Sequence, residues 1–198
     1  MHHLKFVVVG EQNVGKSSLI LTYSERRFPE NVAKMMDNFT IGTEIEGQTC
    51  ILSLWDSRGT PGCEWTRLRT LFYQETDIFL LCASVVDRQS FERLRAWNEE
   101  IAPFSGGAKK FLVLTKSDLR GDPATIHQME ISGRSFVAME EGTALAAEIG
   151  AEQCIECSAL TYFNYLEPFE AACKSVRNFK DPSHNDNGMH INKKCKLM

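Results

Sequence analysis

Gly10-Glu11-Gln12-Asn13-Val14-Gly15-Lys16-Ser17 decides how the rest of this chain is read. An apolar run, Phe6-Val7-Val8-Val9, precedes it and a helix-like segment, Ser18-Leu19-Ile20-Leu21, follows it. Strand, Gly-rich loop and helix in that order, with the spacing G-x-x-x-x-G-K-[ST], predict a loop that wraps phosphate groups. Gly15 lets the backbone come close enough for successive amide N–H groups to surround an anion. Lys16 sets a cation against the outer phosphates, and the Ser17 hydroxyl suits Mg2+. The helix that begins there adds the positive end of its dipole. A chance match in an ordinary strand-turn-helix connection is the alternative, and the character of both flanks argues against it.

Length and composition leave room for one folded domain. The chain has 198 residues, 43% hydrophobic and 24% charged, which are the proportions of an ordinary globular protein. A net charge of −4 argues against nucleic acid as a partner held by bulk charge. No signal peptide is recognisable, and no apolar run approaches the ~20 residues of a membrane span. The 7 cysteines are scattered, which fits a reducing cytosolic setting. Cys154-x-x-Cys157 has no second pair and no nearby histidine, so one cysteine in a strand and one in a site loop is preferred over a metal or redox motif.

Strand-like and helix-like stretches alternate. After the first helix, to about Arg26, an irregular segment spans residues 28–38. Residues 39–46 and 49–55 form strands joined as a hairpin at Gly47-Gln48. The continuous apolar runs 78–83 and 111–114 predict strands buried on both faces of a parallel sheet. Between them Phe91, Leu94, Trp97 and Ile101 form a helical stripe facing the core. A last core helix begins near Glu167, with Pro168 in its first turn and Phe169, Ala172, Cys173 and Val176 turned to the sheet. The architecture is α/β, mostly parallel and doubly wound. Residues 121–138 look inserted: Asp122-Pro123 is a helix start and Gly133 a stop. This insert is an ordinary surface loop with a short helix, or an outgrowth that binds a partner. From Asp181 onward the chain is polar and patternless, a flexible tail.

Three further motifs fall at strand ends. Asp56-Ser57-Arg58-Gly59 closes the strand ending at Trp55; its carboxylate suits Mg2+, usually through water, and the Gly59 N–H suits a γ-phosphate. Thr115-Lys116-Ser117-Asp118 projects from the same edge, where the Asp118 carboxylate can accept both N–H groups of a guanine edge. Cys157-Ser158-Ala159 can add a backbone N–H to the guanine O6. Each motif alone is weak; all in order, each at a strand's C-terminal end, they form a strong combination.

With these residues in view, the chain resembles a small GTPase of the Ras superfamily, and more narrowly the Rho/Rac family. The likeness runs through Lys5-Phe6-Val7-Val8-Val9-Gly10, Leu54-Trp55-Asp56, Thr115-Lys116-Ser117-Asp118-Leu119-Arg120 and Glu156-Cys157-Ser158-Ala159-Leu160. The resemblance implies a P-loop NTPase fold of the small G-protein kind: a mostly parallel six-stranded sheet flanked by helices, with residues 121–138 as a Rho-type helical insert. It implies a G domain over residues 1–178 and a hypervariable tail over 179–198. It implies GTP and GDP as ligands with Mg2+, Gly10 through Ser18 (Gly10, Glu11, Gln12, Asn13, Val14, Gly15, Lys16, Ser17, Ser18) around the phosphates, and Phe28, Thr115, Lys116, Asp118, Leu119, Ser158 and Ala159 around the base. Ser17 and Asp56 would hold the metal. The segment Val32, Ala33, Lys34, Met35, Met36, Asp37, Asn38, Phe39 would be the effector region, and residues 57–73 the second switch. Effectors, exchange factors, GTPase-activating proteins (GAPs) and a GDI-like chaperone are the implied partners, in signalling to the cytoskeleton.

Four departures from the family pattern fall where hydrolysis occurs. Gln12 stands where the family has Gly, in space used by the attacking water and by a GAP's arginine finger. Lys34 stands where the family has a Thr that binds Mg2+, and no Ser or Thr occurs between Ser24 and Thr40. The family's Asp-Thr-Ala-Gly-Gln becomes Asp56-Ser57-Arg58-Gly59-Thr60, so Thr60 replaces the Gln that orients water. The second switch carries about two extra residues, Pro61-Gly62 among them. Catalysis therefore rests on Lys16, with Gln12 and Thr60 as replaced positions and Arg58 or Lys34 as substitutes for phosphate neutralisation. Slow, GAP-resistant hydrolysis is expected. A pseudo-GTPase scaffold, permanently GTP-bound or insensitive to nucleotide, is the alternative; a nucleotide kinase or ATPase is disfavoured by Thr115–Asp118. At the C-terminus Cys195-Lys196-Leu197-Met198 fits C-a-a-X, predicting prenylation of Cys195 and peripheral attachment to a cytosolic membrane face.

Overall fold

Alternate residues of the first strand face opposite layers, and that parity organises the molecule. In β1 (His2–Val9), Phe6 and Val8 point into one apolar cluster and Val7 and Val9 into another. The first cluster is closed by Leu19, Ile20 and Tyr23 of α1 (Lys16–Glu25) and by Phe169, Ala172 and Cys173 of α7 (Glu167–Ser175). The second is closed by α3 (Arg88–Glu92), α4 (Leu94–Ile101) and α6 (Met139–Glu148), through Phe91, Leu94, Trp97, Ile101, Leu145 and Ala146. The computed structural model describes residues 2–30, 38–57, 61 and 66–176.

The remaining strands are β2 (Asn38–Ile45), β3 (Gln48–Asp56), β4 (Ile78–Ser84), β5 (Lys109–Thr115) and β6 (Cys154–Glu156). They form one six-stranded sheet in the order β2-β3-β1-β4-β5-β6, with β2 antiparallel to β3 and every other pair parallel. This is a small G-protein fold with a P-loop. Every residue of β4 is buried, as a strand covered on both faces requires. The helical stripe is buried as expected, yet it lies on two helical pieces that divide at Arg93. Asp87 caps the first of them, accepting the Ser90 N–H at 3.2 Å.

The hairpin turn is a correction. It was expected at Gly47-Gln48 and lies at Glu46-Gly47, with Ile45 paired to Gln48. Glu46 and Gly47 have φ of 50° and 76°, the two positive values of a type I′ turn, whose twist suits the flanking strands. That turn wants glycine second, so Gln48 passes into β3. Val176 packs partly buried against the core as expected, from the C-cap position just beyond α7.

Within residues 121–138 runs α5 (Pro123–Ile131). Asp122 accepts the Thr125 N–H at 2.9 Å as its N-cap, Pro123 occupies the first helical position, and Gly133 beyond its end has φ 61°. Val137 then returns the chain to the sheet, donating its N–H to Val85 O at 2.9 Å. Among the described residues no helix is long and apolar enough to cross a membrane. Because β1, β3, β5 and β6 are parallel, the four motifs named above leave the sheet at one edge, beside the point where the strand order turns.

Candidate functional site

Glycine at position 10 follows from contact rather than from flexibility alone. A Cβ there would lie 2.1 Å from the Cys82 carbonyl oxygen of β4, and φ is 142°. Gly15 is the N-cap of α1 at φ 105°, and its carbonyl accepts the Leu19 N–H at 2.9 Å. Between them Asn13 is exposed at φ 62°, a conformation asparagine tolerates better than most residues. Val14 is buried, and Thr115 Oγ1 lies within hydrogen-bonding reach of both the Val14 and Ala83 carbonyls, the latter at 3.0 Å. The hydroxyl of β5 thus pins the loop to the sheet.

Lys16 is 6% exposed. Its ammonium donates to the carbonyl oxygens of Gly10 at 2.8 Å and Glu11 at 2.7 Å. Burial lowers its pKa, and the Asp56 carboxylate opposes that shift. A phosphate anion arriving in the loop would favour the charged form in the same way. Ser17 Oγ donates to Asp56 Oδ2, so the end of β3 and the start of α1 bring a hydroxyl and a carboxylate together. Two hard oxygen donors beside a phosphate loop fit Mg2+, which takes few protein ligands and completes its shell with water and phosphate. Among the described residues no cluster of three or more His, Cys, Asp or Glu forms another metal cage.

A cavity of about 210 Å3 opens at the other end of the loop, lined by Gly15, Ser18, Leu19, Phe28, Thr115, Lys116, Asp118, Leu119, Cys157, Ala159 and Leu160. Ser158 organises its polar wall: its Oγ donates to Asp118 Oδ1 at 2.5 Å and accepts the Thr161 N–H at 3.1 Å. Ser117 N–H donates to Cys157 O at 3.2 Å, joining the loops after β5 and β6. Lys116 takes φ 59° to make that corner. The carboxylate of Asp118 is therefore held from one side, with its other oxygen available to a ligand edge. Burial pushes the Cys157 thiol far above its ordinary range and leaves it an apolar wall.

Sequence reasoning overlooked several members of this region. Glu11 accepts Trp97 Nε1–H at 3.1 Å and an Arg93 guanidinium N–H at 3.2 Å, tying the loop to α4 and to the turn before it. Trp97 carries no sequence signal for that task beyond its place in the core stripe. Leu160 lines this cavity, and the Tyr162 hydroxyl accepts the Phe28 N–H at 3.1 Å. Gln12 is exposed on the loop. Of the effector region, Asn38 and Phe39 begin β2, Phe39 packing partly buried against the core. Val32, Ala33, Lys34, Met35, Met36, Asp37, Arg58, Gly59, Thr60 and Cys195 lie outside the described residues.

A mainly parallel sheet that presents a glycine loop, a buried lysine, a Ser–Asp oxygen pair and a base-sized cavity along one edge defines a P-loop nucleotide-binding protein of the small G-protein type. Family comparison agrees: residues 5–178 match the Ras family. The chain is 36% identical over 173 residues to "GTP-binding protein RHO1" of Saccharomyces cerevisiae, covering 86% of this chain and 82% of that protein. It is 34% identical over 197 residues to "GTP-binding protein RHO1" of Eremothecium gossypii, covering 98% and 94%. The chain belongs to the Ras family of small GTPases and, within it, is of the Rho type.

Proposed function

We propose that this chain is a Rho-type switch that binds GTP and GDP with Mg2+, recruits effectors through the segments around residues 32–39 and 57–73, and hydrolyses GTP slowly and without response to GAPs. The observation that carries this reading is an intact holding set beside a replaced hydrolysing set. Lys16 is buried at the loop, ready for the β- and γ-phosphates, and Ser17 and Asp56 are in contact where Mg2+ would sit. Phe28, Asp118, Ala159 and Leu160 line a cavity that would take the base, with Asp118 to accept its N–H groups and the Ser158-Ala159 backbone to donate to its O6. Bound Mg2+ would neutralise charge on the phosphates. Against this, Gln12, Lys34 and Thr60 replace the residues with which the family admits the arginine finger, senses the γ-phosphate and orients water. The finger supplies ~10³–10⁵ in rate, so a protein without its slot keeps at best the slow intrinsic reaction.

Single-turnover hydrolysis of loaded GTP, with and without Rho-type GAPs, tests the proposal. A slow rate that GAPs leave unchanged is expected; fast GAP-stimulated turnover refutes it. The lack of any Ser or Thr between Ser24 and Thr40 favours a second reading, a nucleotide-insensitive scaffold. Equal effector affinity for the GDP and GTP forms would select it, because without a γ-phosphate contact the loop has nothing to order it. Exchange factors and a GDI-like chaperone belong to the proposed partner set, and a prenyl group on Cys195 to the proposed membrane attachment. Intact-mass measurement on protein from eukaryotic cells, with Cys195 unmodified, would remove the last of these.

A further inference from the structure

Two loops line the base cavity from different parts of the chain, and one hydroxyl joins them. Phe28 sits in the segment after α1, and Ala159 and Leu160 in the loop after β6. The Phe28 N–H donates to the Tyr162 hydroxyl at 3.1 Å across 134 positions of sequence. The ring that carries this hydroxyl is 45% exposed and is braced from one side. It meets Tyr165 edge-on, centroids 5.6 Å apart at 77°, and Tyr165 packs against the core. Its backbone is fixed too, because Ser158 N–H donates to Phe163 O at 2.8 Å and closes residues 158–163 into a tight loop. Tyr162 takes φ 62° within that loop, and Asn164, just beyond it, takes φ 48°. Asparagine adopts this left-handed conformation readily; tyrosine does so only when its surroundings impose it. The same short loop thus holds Asp118 through Ser158 and Phe28 through Tyr162.

We propose that Tyr162 is a positioning residue for nucleotide retention: its hydroxyl latches the Phe28 segment to the loop after β6 across the base cavity and slows nucleotide release. The inference rests on the reading of that cavity as the guanine site. A base held between Phe28 and Leu160 leaves only as those walls part, and parting them breaks the bond. Phe28 itself contributes its ring and Tyr162 only the position of that ring, so the two residues act in series.

The test is release of a fluorescent N-methylanthraniloyl-GDP from loaded protein on addition of excess GDP, for the parent, Tyr162→Phe, Phe28→Leu and the double variant. Tyr162→Phe keeps the ring and its packing on Tyr165 and removes only the hydroxyl. Losing one neutral hydrogen bond corresponds to roughly two- to tenfold faster release. Phe28→Leu is expected to speed release as well, and Tyr162→Phe to add little on top of it, since the hydroxyl then positions a ring that is gone. A parental rate for Tyr162→Phe overturns the latch, and so does an equal factor in both backgrounds, which marks general loosening of the loop. A parental rate for Phe28→Leu overturns the guanine-site reading itself and the latch with it.

Discussion

Removing the Glu100 side chain measures how firmly α2 (Thr66–Phe72), the helix beyond the Asp56 loop, is anchored. Arg69 in that helix is 0% exposed, and Glu100 in α4 receives it from two sides: Nε donates to Oε1 at 3.0 Å and Nη2 to Oε2 at 2.9 Å. The guanidinium also lies 4.7 Å from the Trp97 ring, and Nη2 reaches Thr66 Oγ1 at 3.2 Å. Tyr73 adds its hydroxyl to Glu100 Oε1 at 2.8 Å, and burial, with Glu100 beside it, pushes its phenol well above the ordinary range, so it stays a donor. Glu100→Ala removes the carboxylate that accepts two N–H groups of this buried guanidinium, a loss of up to about 3–5 kcal/mol. The tyrosine hydroxyl loses its acceptor at a further cost of about 1 kcal/mol. Total stability for a domain is about 5–15 kcal/mol, so this one substitution removes a large part of it. For this chain length the thermal midpoint should fall by on the order of 10 °C. The assay is thermal and urea unfolding at fixed GDP and Mg2+, because bound ligand adds its own stabilisation. Glu100→Gln keeps the volume and one acceptor and should lose less. A loss under about 1 kcal/mol for Glu100→Ala would place the pair with solvated surface ion pairs and refute the reasoning.

Two other perturbations have signs that follow from the packing. Gly142 lies within α6, where alanine ordinarily gains about 1 kcal/mol, but a Cβ there would meet Cys154 Sγ at 2.6 Å and Leu114 Cδ1 at 2.9 Å. Overpacking costs about 1–3 kcal/mol, so Gly142→Ala should lower the urea midpoint, and adding Cys154→Ala should recover part of the loss; a stabilised single variant would refute the contact. The thiols of Cys82, Cys154 and Cys173 are pushed up by burial to about 12, from an ordinary value of 9.0. Raised acid pKa values mean that the folded chain keeps protons the unfolded chain has released. Their contribution is intact below pH 9 and falls between pH 9 and 12, by up to about 1.4 kcal/mol per pH unit for each thiol. Urea midpoints at pH 8 and pH 10 check this, and a midpoint that rises with pH would contradict it.

What the sequence disclosed was whatever is local or periodic. The loop 10–17 and its flanks, the uninterrupted apolar run of β4, the 3.6-residue stripe through Trp97, and the Asp122-Pro123 helix start each carry their structure in a few neighbouring residues. The turn at Glu46-Gly47 was misplaced by one residue because strand alternation does not by itself locate a turn. Contacts across long separations left no such trace. A polar atom on a residue read as core, such as Trp97 Nε1, has no periodicity that says it meets Glu11, 86 positions away. Arg69 drew no reading from the sequence; its burial depends on partners far along the chain, Glu100 and Trp97 of α4 among them. Tyr162 sat outside every motif, and its partner is a backbone amide, which any residue could supply.

The two ends of the cleft lead to different rates, and the rates decide what kind of switch this is. On the proposed reading, the phosphate end keeps the groups that hold an anion, and Gln12, Lys34 and Thr60 stand in place of those that serve hydrolysis. At the base end Ser158 fixes Asp118, Thr115 pins the loop, and Tyr162 holds Phe28. A GTPase with fast hydrolysis has its active lifetime set at the phosphate end. Slow hydrolysis moves that control to release, so the hydroxyl of Tyr162 would then set the duration of the signal. Arg58 and Lys34 do not change that direction unless they restore turnover in place of the missing glutamine. The two measured rates, single-turnover hydrolysis and nucleotide release, therefore bear on one question. If hydrolysis outruns release, the protein is an ordinary cycling switch despite Gln12 and Thr60; if release outruns hydrolysis, the state of the protein follows the nucleotide supply and the factors that open the base cavity.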